Sequence, residues 1–291
     1  MSEKLHITVS DIGEDALIKS ITHQLPLDSS RVVEGSGDDC AVLKTADPEV
    51  YELQKADAIV ENSHFLSGTD PELVGWKAVA RAVSDIAAMG ISARPVSVLI
   101  TIAVAKNHLV SEINEWYAGM RRCAEKFNFS IVGGESVSLP EGSPALISVA
   151  MVGEINRADL VLRSGARVGD VIAVSGKLGG SFQSGRHLSF EPRIGFDPKL
   201  RPTAMMDLSD GLAKDLPRLA RASGVGYALD FEAIPRHDGC DVKAALTDGE
   251  DYELLMTLPE SPPEDSGVAV IGRITETIET PIEGGWDHFS K

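Results

Sequence analysis

Along residues 11–24, apolar side chains recur at Ile12, Ala16, Leu17 and Ile21, the spacing that lays one stripe along a helix. Gly35, Gly37 and the two aspartates after it predict a turn, followed by a short apolar run after Cys40. A strand is expected around 58–60. The clearest helix comes next. Asp70 is a good N-cap, Pro71 suits the first turn because its missing N–H would be unpaired there, and Gly90 supplies the stop. Between them the chain is apolar on most faces, which predicts burial. Its charges, Lys77, Arg81 and Asp85, fall at i, i+4 spacing and read as one wet stripe in which Asp85 partners Arg81. The other reading of Asp85 is a cation ligand, since a carboxylate on so apolar a helix needs a partner.

A strand at 94–105, an amphipathic helix at 109–127 and a strand at 129–132 follow, the last running into Gly133-Gly134-Glu135-Ser136. Residues 139–144, rich in Pro and Gly, are the best linker and divide the chain into expected domains of 1–144 and 145–291. In the second part, strands are expected at 145–152, 171–174, 227–231, 252–258 and 268–274, with a loop entering a helix over 207–223. The class is mixed α and β, with helices covering sheets.

Composition narrows the chemistry. The 291 residues are 43% hydrophobic and 24% charged, a globular balance, but the net charge is −17. That field repels a polyphosphate backbone or an anionic membrane, so neither nucleic acid nor membrane is an expected partner. Phosphate ligands remain compatible if divalent cations lie between them and the carboxylates. Cys40, Cys123 and Cys240 show no metal-ligand spacing and fit a reduced cytoplasm, and the opening residues lack a secretory pattern, so export is not expected. No P-loop, kinase, zinc-protease or serine-hydrolase signature is present, and Gly176-Lys177 lacks the spacing of a phosphate loop.

What recurs is glycine beside carboxylates: Gly37-Asp38-Asp39, Gly134-Glu135, Asp207-Leu208-Ser209-Asp210-Gly211 and Gly249-Glu250-Asp251, joined by Asp57 and Asp85. Any one of these is explained by a turn or a helix cap. Together they suit hard cations, which need carboxylate oxygens from separate loops, with glycines that let backbone approach phosphate oxygens. A site for several Mg²⁺ ions is the simplest expectation. His64 alone reads as a structural histidine and Trp286 equally as a gap filler or a ring stacked on a ligand, while Arg163, before a Ser-Gly turn, suits a phosphate or purine.

These segments resemble the thiamine-monophosphate kinases, in the superfamily that includes aminoimidazole ribonucleotide synthetase. The likeness runs over nearly the whole chain and is most specific in SDIAAMG (84–90), DLSDGL (207–212) and GEDYEL (249–254). It implies a two-domain fold combining α/β and α+β parts, whose N-terminal domain pairs with a second copy in a shared barrel. It also implies ATP as co-substrate, Mg²⁺ as cofactor and thiamine monophosphate as acceptor. The resemblance makes Asp39, Asp57, Asp85, Glu135, Asp207 and Asp210 metal ligands. Gly134, Glu135, Arg163 and Ser209 become ATP contacts, and His64, Glu250 and Trp286 acceptor contacts. No catalytic group beyond the metal ligands is implied, because the acceptor phosphate is already largely ionised at neutral pH. A related kinase with another acceptor, and an ATP-binding relative with reduced catalysis, are the alternatives. Lys55 and Ala56 stand where the family carries metal-liganding hydroxyls, Glu135 and Ser136 replace Asp and Thr, and Ala82 replaces Asn. The Lys55 ammonium could therefore replace part of one ion's charge.

Overall fold

The helix predicted at the centre of the first half is the spine of the molecule. In the computed structural model, which describes residues 7–196 and 199–289, it runs over Pro71–Ala88, with the Asp70 carboxylate accepting from Glu72 N–H at 2.9 Å and Pro71 in the first turn. Before it come a helix, α1 (Val9–Thr22), and strands β1 (Val32–Glu34), β2 (Ala41–Lys44) and β3 (Val50–Val60). The central helix, α2, is followed by β4 (Arg94–Ala105), α3 (Val110–Phe127), β5 (Ser130–Leu139) and β6 (Leu146–Asn156). The remainder is β7 (Val171–Val174), β8 (Ala204–Asp207), α4 (Leu212–Ser223), β9 (Gly226–Leu229), α5 (Val242–Thr247), β10 (Leu254–Leu258) and β11 (Ala269–Thr275).

The strands form two sheets, ordered β1-β2-β3-β6-β4-β5 and β8-β10-β7-β11-β9. Only β4 and β5 pair in parallel, joined through α3 as a parallel pair requires. One face of the first sheet buries Leu53, Ile59, Ile100, Ile147, Val149 and Met151 against Val79, Val83 and Ile86 of α2. The helices α2 and α3 touch at two glycines: a Cβ on Gly75 would lie 1.8 Å from the Trp116 carbonyl, and one on Gly119 1.9 Å from that of Glu72. The second sheet packs Ile172, Met206, Leu255 and Ile271 against Leu212, Leu216 and Leu219 of α4.

Three expectations are corrected. Residues 139–144 were read as the link between domains, but they turn β5 into β6, and β6 sits between β3 and β4 of the first sheet. The change of sheet therefore falls after Asn156. The glycines at 133 and 134 do not end a strand; they lie inside β5, where a Cβ on Gly134 would meet the Ile100 carbonyl at 1.7 Å, so glycine serves close strand approach. Asp207, read as loop, is the last residue of β8.

Candidate active site

The supposed wet stripe of α2 has no wet side. With a sheet on one flank and the second half of the chain on the other, Lys77 is fully buried and Asp85 6% exposed. Asp85 does not pair with Arg81. Its partner is Lys55, one strand-alternation step from Asp57 on β3, with Nζ 2.5 Å from Asp85 Oδ1. Arg81 instead faces Asp57 at 3.2 Å and donates to the Ala58 carbonyl at 3.0 Å. Alternation along β3 turns Lys55, Asp57 and Ile59 toward α2, which is why this strand and this helix meet through charges.

Three carboxylates converge beside these pairs: Asp39, Asp85 and Asp207 each offer an oxygen within 4.8 Å of the others. They come from distant parts of the chain. Asp39 precedes β2, Asp85 lies in the last turns of α2, and Asp207 ends β8, where Ser84 Oγ donates to it at 2.7 Å. Arg163 grips Asp39 with two bonds, Nε at 3.2 Å and a terminal nitrogen at 2.5 Å. Burial drives the Asp85 carboxyl far above the usual range against the pull of Lys55, and burial with the Asp39 charge pushes Asp207 up to about 7. Such a cluster is electrostatically incomplete, and the charge of a hard cation would favour its ionised form.

The other expected ligands stand elsewhere. Asp210 is 9% exposed and held by Arg218 at 2.6 Å and Lys214 at 3.3 Å. Glu135 lies in register with Thr101, Ser148 and Ala58, so it is one residue out of step with Asp57 and points to the opposite face of the sheet. Three strand spacings, about 14 Å, separate the two.

Next to the cluster is a cavity of about 290 Å³ lined by His64, Arg81, Ser209, Glu250, Tyr252 and Trp286 among others. The turn after β8 joins the two, since Asp207 belongs to the cluster and Ser209 and Asp210 to the cavity. Backbone bonds lock it to the second motif: Glu250 N–H donates to the Ser209 carbonyl at 2.7 Å and Tyr252 N–H to that of Leu208 at 2.9 Å. The C-terminal segment docks here too, through Trp286 N–H on the Asp210 carbonyl at 2.8 Å, leaving the half-exposed indole over the cavity. Gly134 lies on the β5 edge with Glu135, away from this cavity.

Lys77 and Arg81 are the residues that the sequence pattern missed. Lys77 Nζ is 2.6 Å from Glu250 Oε1 and donates to the His64 carbonyl at 2.6 Å; burial lowers its pKa to about 8 against the pull of Glu250. Arg81 lines the cavity and its Nε is buried with no acceptor, a donor aimed at no protein group. Burial, then the charges of Arg81 and Lys77, press His64 down to about 4, so its imidazole is neutral at physiological pH. The signal was present: a helix apolar all round leaves no solvent face for its charges.

Residues 37–155 match the family described as AIR synthase related protein, N-terminal domain. The chain is 34% identical to the thiamine-monophosphate kinase of Rhodopirellula baltica, over 87% of this chain and 82% of that protein. It is 33% identical to that of Aquifex aeolicus, over 97% and 99%. A solved structure of AaThiL complexed with AMPPCP and TMP superposes with a TM-score of 0.86 at 31% identity, covering 98% of this chain and 100% of that one. The chain belongs to the thiamine-monophosphate kinase family.

Proposed function

We propose that this protein transfers the γ-phosphoryl group of ATP to thiamine monophosphate. The observation that carries the reading is the adjacency of the three-carboxylate cluster and the cavity, joined by the Asp207–Asp210 turn. The related AaThiL, solved with AMPPCP and TMP together, supports the pairing of a nucleotide with a phosphate-bearing acceptor.

The donor set of Asp39, Asp85 and Asp207 suits Mg²⁺, which takes carboxylate oxygens. When bound there, the ion would neutralise the repulsion between two phosphate groups and polarise the one transferred. The chain's own residues place the acceptor. Trp286 offers an aromatic face, Glu250 is fixed by Lys77, and Arg81 brings a guanidinium charge to the lining that favours an anionic group. Neutral His64 adds no charge to the pocket. With the acceptor oxygen already ionised, no side chain need take a proton. Ser209 and Arg163 flank the same junction and would meet the nucleotide.

The chain pairs as a homodimer in this reading. Strand β5 is an edge strand, with Val132 59% and Val137 45% exposed beside Leu99 at 49%, an apolar surface that edge pairing would cover. Glu135 can approach a cation site only from a second copy, given its face and distance. A reducing cytoplasm suits the three free cysteines, two of them buried, and among the described residues no helix is long and apolar enough to cross a membrane. The test is ADP formation by the purified protein with and without thiamine monophosphate across a Mg²⁺ titration. ADP release that does not respond to thiamine monophosphate overturns the acceptor.

A further inference from the structure

Four carboxylates crowd the junction, Asp39, Asp57, Asp85 and Asp207, and three side-chain cations stand against them: Arg163 on Asp39, Arg81 on Asp57 and Lys55 on Asp85. The formal balance is one negative charge. Without Lys55 and Arg81 it would be three. A site of the second kind attracts more than one divalent ion before any nucleotide arrives; a site of the first kind does not. Asp57 is the clearest case. It is outside the converging trio, and its Oδ1 is engaged twice, by Arg81 at 3.2 Å and by the Ala58 N–H at 2.7 Å.

We infer that Lys55 and Arg81 act as built-in cations that hold Asp85 and Asp57, so that the nucleotide-free protein binds a single divalent ion, at Asp39, Asp85 and Asp207. Neither cation is a flexible surface group. Lys55 Nζ is held at 2.5 Å by Asp85, and Arg81 is anchored twice, on Asp57 and on the Ala58 carbonyl. The consequence is specific: the chain carries fixed positive charge among carboxylates that would otherwise draw a second divalent ion. The inference rests on the reading of the carboxylates as a cation site and not on the identity of the acceptor.

The experiment is Mn²⁺ binding to the nucleotide-free, full-length protein, counted by the loss of the free-ion electron paramagnetic resonance signal and by titration calorimetry. One ion per chain is expected. Asp207→Asn should weaken its binding at least about 10-fold, while Asp57→Asn should leave number and affinity within about twofold, as for a carboxylate outside the converging trio. Lys55→Ser, which removes the fixed charge held against Asp85, should add a second ion. Two or more ions on the unaltered chain, one of them lost in Asp57→Asn, overturn the inference, as does the absence of any bound ion. Should Lys55→Ser not fold, Asp57→Asn decides alone. One bound ion in a protein that does not phosphorylate thiamine monophosphate would leave the inference standing and sink the proposed function instead.

Discussion

Asp207 and His64 show how single side chains carry the site's chemistry. Asp207 is nearly fully buried with its pKa raised to about 7, so the folded chain gains little from its charge unless a cation is bound. Asp207→Asn keeps the volume and the bond to Ser84. It is expected to lower kcat at least about 100-fold while changing unfolding free energy by no more than about 1 kcal/mol, read by steady-state assay and urea titration. For His64 the sign follows from its depressed pKa. Between its ordinary 6.5 and about 4, the unfolded chain takes up a proton that the folded chain refuses. Its contribution is therefore complete above 6.5 and is lost as the pH falls toward 4, by at most about 1.4 kcal/mol per pH unit. His64→Gln retains an acceptor for the Val60 N–H, bonded at 3.2 Å, and should flatten the acid limb of stability measured from pH 6.5 to 4.5. The acidic residues themselves were legible in the sequence because glycine-flanked carboxylates cluster there. Lys77 and Arg81 were not, because i, i+4 charges have the same local pattern whether they meet water or another part of the chain.

Elements with long periodic patterns were readable and those defined by distant partners were not. The helix α2 and strand β4 fall where periodicity and capping put them. The strands β1 and β2, three and four residues long, carry too little pattern to be seen, and β5 was cut short because its glycines resemble a turn. What makes those glycines part of a strand is the backbone of β4, which no local window contains. The same logic governs Gly75, where α2 meets α3. Gly75→Ala places a Cβ on rigid backbone, 1.8 Å from the Trp116 carbonyl, and should destabilise by about 2 to 3 kcal/mol through forced separation of the helices. Gly68→Ala is the control. It has a φ of +81° but nothing within 4 Å, so its cost is the backbone strain alone, about 1 kcal/mol. Equal losses in urea unfolding would show that the helix contact is not tight.

At the scale of the whole molecule, the register separates Glu135 from the carboxylate cluster of its own chain by both distance and face. If the site is completed across a two-fold interface, each site takes Asp207 from one chain and Glu135 from the other. Two inactive variants then complement each other. Asp207→Asn and Glu135→Gln homodimers each carry a defect in both sites. In a mixed dimer, one site collects both defects and the other collects none. Random reassociation of equal amounts makes half of the dimers mixed, so the mixture should recover about a quarter of the unaltered activity, whereas sites contained within one chain recover nothing. Leu99→Asp, on the exposed apolar face beside β5, should abolish both the recovery and the dimer, seen as halved mass in light scattering. Full recovery failure in mixtures whose subunits demonstrably exchange would mean that Asp207 and Glu135 serve a site within a single chain.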